Sequence, residues 1–159
     1  MYAKILLCYD GSREGRMALR EGARLAQITG ATVTLLAVVE TGSGNAFAIG
    51  ADVIALGQQQ EDLQEVLEEG RQRLTGMGLS PEVKLAFGDP VATITRVSVE
   101  TAADLVVVGH HRHGFWTRWL SRSIAAELGD SLGSSLLLAQ KTVEDSELFQ
   151  NTDHRTRST

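Results

Sequence analysis

The stretch Gly109-His110-His111-Arg112-His113-Gly114-Phe115-Trp116 sets three histidines and an arginine between two glycines, and it follows the apolar run Leu105–Val108. A strand, a glycine turn and then a helix is the layout that aims backbone N–H groups and a helix N-terminus at phosphate oxygens. The residues filling it are wrong for a simple phosphate cradle. Gly109-x4-Gly114 begins like a P-loop, but Phe115-Trp116 stand where a lysine and a hydroxyl must be, so a P-loop is excluded. His110, His111 and His113 carry metal-ligand nitrogens. No cysteine or clear carboxylate partner lies near them, and adjacent side chains diverge, so hydrogen bonding within the turn is favoured over a metal site. Such bonding would be sensitive to pH near ~6.5. Phe115, Trp116 and Trp119 either fill the space of a ligand or pack onto a sheet. Arg112, Arg118 and Arg122 form a basic patch that suits an anionic ligand or a solvated helix face equally.

These residues must be positioned by elements whose pattern is readable. Five short apolar segments recur at Ala3–Tyr9, Thr32–Val39, Glu82–Phe87, Asp104–Val108 and Ser135–Ala139. Continuous apolar runs suit strands covered on both faces, as in a parallel sheet. Glu82–Phe87 alternates instead, with Val83, Leu85 and Phe87 on one side, as expected nearer an edge. Segments of helical period lie between. Ser12 caps a helix to about Thr29, with Met17, Ala18, Leu25 and Ile28 as expected core contacts. Asp52 to about Gly76 reads as a longer helix with Leu63, Val66, Leu67 and Leu74 on one stripe. Asp89-Pro90 is a cap followed by proline at the first helical position, with Val91, Ile94 and Val97 inward. A fourth helix is predicted from about Thr117 to Leu132, with Leu120, Ile124 and Leu128 four residues apart. The alternation β-α-β-α-β-α-β-α-β predicts a single-domain α/β fold with a parallel sheet and right-handed crossovers. Thr41–Gly50 is a glycine-containing connection and a candidate lid. Residues 1–141 form the domain, and the polar 142–159 is expected to be a flexible tail.

The 159 residues suffice for one domain with a real core. The formal charge of −5 argues against nucleic acid or an anionic membrane as partner. The run Ile5–Tyr9 is shorter than a signal peptide's core, and no segment approaches a membrane span. The single Cys8 excludes an internal disulfide, and its place in an apolar run predicts a buried, inert thiol. A cytoplasmic location is expected.

Taken together, these segments resemble the universal stress protein family, over nearly the whole chain from Lys4-Ile5-Leu6-Leu7 to Leu136-Leu137-Leu138. Tyr9-Asp10-Gly11-Ser12 resembles the family's Val-Asp-Gly-Ser opening. Gly88-Asp89-Pro90 with Ile94 matches its Gly-x-Pro-x-x-x-Ile element, and Asp104–Val108 with Gly109 matches its fourth strand and turn. The resemblance implies an open five-stranded sheet ordered 3-2-1-4-5, Rossmann-like, with helices on both faces. The loops after strands 1 and 4 then meet at the topological switch point, where such folds bind ligands.

Nucleotide-binding members of the family carry Gly-x2-Gly-x9-Gly-Ser/Thr after the fourth strand. On this chain the glycine positions fall on Gly109, Arg112 and Arg122, and the hydroxyl on Ser123. A Cβ at the two arginines works against close backbone approach to phosphate, although arginine can itself hydrogen-bond a phosphate. Gly-His-His followed by Phe115-Trp116 also looks like the branch of the family that lacks the glycine motif and does not bind ATP in this way. Family members use an acid near the adenosine where Asp10 stands; Asp10 and Ser12 alternatively cap the first helix. Val38 and Val39 end strand 2 where a backbone contact to adenine would fall, or are simply core. Ser121 and Ser123 either donate to phosphate or cap the fourth helix.

Ser135, Leu136, Leu137, Leu138 and Ala139 form an apolar edge without proline or charge, which invites pairing with another chain. The resemblance implies an antiparallel homodimer through this strand. The expectation is therefore a cytoplasmic, homodimeric stress-response binding module that acts through unidentified protein partners and lacks the usual ATP site. No nucleophile–base pair or paired acids with an obvious reaction mark it as an enzyme. The alternative is an ATP- or adenine-nucleotide-binding switch with a modified phosphate loop and weak hydrolysis or autophosphorylation, built on Asp10, Ser12, Val38, Gly109, Arg112, Arg122 and Ser123.

Overall fold

The computed structural model describes residues 1–41, 51–109 and 122–139, with side chains at 1–41, 57–109 and 126–139. Along the chain run β1 (Lys4–Cys8), α1 (Arg13–Thr29), β2 (Thr32–Glu40), α2 (Ala51–Gly76), β3 (Glu82–Gly88), α3 (Pro90–Glu100), β4 (Leu105–Gly109), α4 (Arg122–Ser131) and β5 (Ser135–Ala139). The strands form one sheet in the order β3-β2-β1-β4-β5, and every neighbouring pair is parallel. The chain steps outward from β1 to β2 to β3 and then returns to the other side of β1. The switch point lies between β1 and β4.

The apolar runs become strands because both faces of the sheet are covered. Ile5, Leu7 and Tyr9 pack in a core with Leu19, Ala23, Leu63, Leu67 and Leu74, under α1 and α2. Leu6 packs in a second core with Leu36, Ile94, Val97 and Leu128, under α3 and α4. The β3 edge is covered less completely, leaving Val83 37% and Phe87 49% exposed, as its alternating pattern anticipated.

Local chemistry sets the helix starts. Ser12 caps α1, its Oγ accepting from Gly15 N–H at 2.9 Å. Asp89 caps α3 by accepting from Ala92 N–H at 3.0 Å, with Pro90 as the first helical residue. Asp104 is not part of β4. Its carboxylate accepts from Ala3 N–H at 2.8 Å and Lys4 N–H at 3.1 Å, clasping the start of β1 at the end of the sheet opposite the switch point.

One expected core contact is overturned. Ile28 is 67% exposed, while Ala18 is buried, Met17 half-buried and Leu25 packed against the core. The inward stripe of α1 is Gly15, Ala18, Leu19, Gly22, Ala23 and Ala26, and Ile28, two residues past Ala26, falls on the far side of the helix. Cys8 keeps some exposed surface as a residue, while burial dominates the environment of its thiol. The connection 42–50, the histidine turn with Phe115, Trp116 and Trp119, Leu120 and the tail 142–159 lie outside the described residues, as does the side chain of Ile124.

Candidate functional site

The strand order puts the switch point, where folds of this kind open a ligand crevice, at the C-terminal ends of β1 and β4, with β2 beside β1. After β1 the chain turns through Tyr9-Asp10-Gly11-Ser12 into α1. Asp10 Oδ1 accepts from Ser12 N–H at 3.0 Å and from the Ser12 hydroxyl at 2.5 Å. Ser12 Oγ in turn accepts from Gly15 N–H. The carboxylate therefore backs the helix cap through a hydroxyl relay, and the Ser12 proton is committed to Asp10.

Val38 takes the core role with its side chain. Its side chain is 2% exposed and packs in the α3/α4 core. Its backbone has another outlook. The β1–β2 ladder ends at Cys8↔Leu36, with Tyr9 N–H donating to Leu36 O at 2.8 Å where β1 turns away. In a parallel ladder successive residues address opposite neighbours. Val38, two residues beyond Leu36, thus turns its N–H and C=O toward the β1 side, past the end of that ladder. A donor and an acceptor side by side on a strand end match the edge of a purine.

Gly109 ends β4 and is buried. A Cβ on it would lie 2.6 Å from both the carbonyl carbon and oxygen of Glu14, and 2.9 Å from Gly15 N. The glycine is required by the first turn of α1, which rests on the end of β4. Arg122 and Ser123 are the first two residues of α4, placed by their backbone alone, and Arg112 lies outside the described residues.

Beneath the crevice, burial pushes the Cys8 thiol up to about 12, with the negative charge of Asp10 adding to the effect. That thiol is not a nucleophile at neutral pH. Burial also raises the Tyr9 phenol, against the lowering effect of its hydrogen bond with Arg16. Tyr9 Oη donates to Glu69 Oε2 at 3.3 Å. Glu69 Oε1 pairs with Arg73 at 2.7 Å and with Arg16 at 3.4 Å. Burial works to raise the Glu69 carboxyl, but the hydrogen bond and charge of Arg73 and the charge of Arg16 outweigh it and hold the group below its ordinary value. This cluster joins the turn after β1 to α1 and α2, and nothing local in the sequence marks it.

A separate groove of about 580 Å³ lies at the far edge of the sheet between β3 and α3, lined by Lys84, Ala86, Phe87, Arg96, Val97 and Glu100. Its charges are met locally, Arg96 by Glu100 at 2.6 Å and Lys84 by Glu82 at 3.3 Å. Among the described residues no group of three or more His, Cys, Asp or Glu stands where it could hold a metal ion. No described helix is long and apolar enough to cross a membrane.

Residues 1–138 match the model of the universal stress protein family. Solved structures repeat the fold. A universal stress protein from Burkholderia pseudomallei is similar at 23% identity and a TM-score of 0.70, over 86% of this chain and 95% of that one. One from Lactobacillus plantarum is similar at 19% identity and a TM-score of 0.75, over 87% and 97%. A universal stress protein in complex with cAMP is similar at 22% identity and a TM-score of 0.68, over 89% and 99%.

Proposed function

The chain belongs to the universal stress protein family, and on that footing we propose that it is a cytoplasmic stress-response regulatory module that binds an adenine nucleotide in the crevice between β1 and β4. The observation that carries the reading is the end of the β1–β2 ladder at Leu36, which leaves the Val38 backbone facing the crevice beside the Asp10 turn. Relatives of the same fold are found with cAMP, dAMP and AMP. They favour a ligand-binding crevice over one closed by its own arginines and aromatics.

Adenine pairs with the N–H and C=O of Val38. Asp10, held by Ser12, accepts from the ribose hydroxyls. The phosphate lies toward the turn after Gly109, where Ser123 and the guanidinium groups of Arg112 and Arg122 hydrogen-bond it. Arginine in place of the two later family glycines removes the room a triphosphate chain needs for close backbone contact. A single phosphate needs less of that contact and gains from arginine's paired donors. The preferred ligand is therefore an adenosine monophosphate, linear or cyclic, and the module acts as a sensor rather than a hydrolase.

The same protein forms a homodimer through β5. Leu136, Leu137 and Leu138 are all only half-buried, on an edge paired on one side to β4.

Isothermal titration of nucleotide-stripped protein with AMP, cAMP and magnesium–ATP tests the ligand. Micromolar binding of a monophosphate, with ATP at least about tenfold weaker, is expected. Binding of none of the three overturns the reading and leaves a module that works through protein partners alone.

A further inference from the structure

The turn that carries Asp10 and Ser12 is gripped from outside the crevice by one stripe of α2. Val66, Glu69, Gly70 and Arg73 are spaced i, i+3, i+4 and i+7, so they share a helix face. Each touches the turn or the residues that hold it. Val66 lies on Gly11 so closely that a Cβ there, at φ +76°, would come within 2.9 Å of a Val66 methyl. Gly70 lets the α2 backbone settle on the Tyr9 ring, where a Cβ would stand 2.8 Å from ring carbon Cδ1. Glu69 supplies the polar part of the grip. One carboxylate oxygen accepts from Tyr9 Oη at 3.3 Å, and the other meets Arg16 in the first turn of α1 at 3.4 Å. Arg73 holds that same oxygen at 2.7 Å through its Nη2 and at 2.9 Å through its Nε. Tyr9 and Arg16 flank the Asp10–Ser12 turn in sequence, so a single side chain on α2 fixes the approach to the turn and the departure from it.

We infer that Glu69 is a positioning residue for the crevice, holding Tyr9 and Arg16 from α2 so that the Asp10–Ser12 turn keeps its ligand-ready shape. The grip links the placement of α2 to the geometry of the acid at the binding site. Its consequence for affinity rests on the nucleotide reading above; its consequence for the turn does not.

Glu69→Gln keeps the shape of the side chain and removes its charge. Amide hydrogen exchange of the nucleotide-free, full-length protein is the primary readout. In Glu69→Gln the Ser12 and Gly15 amides are expected to exchange about fivefold faster, with Val97 and Val107 unchanged. Tyr9→Phe, which removes the phenol oxygen but leaves Arg16 and Arg73 on Glu69, gives a smaller rise at the same two amides. An unchanged turn, or a rise shared equally by α3 and β4, overturns the inference, because the first denies the grip and the second describes general loosening. AMP titration of both proteins then separates the two claims. Wild-type protein that fails to bind, with a loosened turn in the variant, overturns the nucleotide reading and supports the grip. Wild-type protein that binds, with a variant of equal affinity and an unmoved turn, does the reverse.

Discussion

Gly109, the last residue of β4, stands against Glu14 in the first turn of α1, and a Cβ on Gly109 would come to 2.6 Å from the Glu14 carbonyl carbon. The neighbour is backbone in a capped helix turn, so it has no rotamer through which to move away. The closeness brings the capped N-terminus of α1 to the floor of the crevice, where the relay from Asp10 through Ser12 to Gly15 is built. One glycine thus sets how closely the first turn of α1 seats on the end of β4.

Gly109→Ala is expected to destabilise the fold by about 1–3 kcal/mol, the usual cost of forcing extra volume into a packed site. Urea denaturation read by circular dichroism measures it. An unchanged midpoint would mean that α1 is not seated on β4 as described.

Asp104 predicts a dependence on acid. Its carboxyl is held below its ordinary value first by the Ala3 N–H, with the Lys4 N–H adding to it. A group depressed on folding contributes stability above its unfolded value of about 4, and that contribution fades as pH falls through the folded value. Asp104→Asn should lower the melting temperature at pH ~7 and leave a smaller difference from wild type near pH ~2. Parallel melting curves for the two proteins across that range would contradict the clasp.

How much of this was legible in the sequence follows the distance over which each feature is determined. Ser12 and Asp89 as caps depend on three or four residues, and both were readable. The strands were readable because runs such as Leu105–Val108 admit little else once both faces are covered. The strand order came through resemblance, since periodicity carries no information about which strands are neighbours. Gly109 read as a phosphate glycine; its nearest obstacle is Glu14, far away in the chain, which no local pattern reveals. Asp104 read as the start of a strand, because its partners Ala3 and Lys4 sit at the other end of the sequence. Ile28 was misread because an apolar residue at a helix end was counted as inward without testing it against the stripe through Ala18 and Ala26. Glu69 gave no signal at all, being one of five acids between Glu61 and Glu69.

The buried Oγ of Thr95 on α3 has no hydrogen-bond partner among the described residues. An unsatisfied buried hydroxyl opposes folding. Thr95→Val should raise stability by about 1 kcal/mol, read as a higher urea midpoint with an unchanged slope. A lower midpoint would mean the hydroxyl is used.

The β5 edge gives a test that spares the fold. Ser135 N–H donates inward to Asp104 O at 3.1 Å, so by alternation the N–H of Leu136 and Leu138 points outward. Proline is tolerated at such positions on an edge strand. Leu138→Pro should convert a dimer into a folded monomer in sedimentation velocity, with the far-ultraviolet spectrum retained. A variant that stays dimeric would place the interface elsewhere.

The central claim is that an adenine nucleotide lies against the Val38 backbone in the crevice of the switch point. Titrating AMP into ¹⁵N-labelled protein and following each amide resonance tests it most directly. The account predicts saturable shifts at Val38, Ser12 and Gly109, with Val83 and Arg96 beside the far groove unmoved. Shifts confined to Val83 and Arg96, or no shift at Val38 at millimolar AMP, would contradict it.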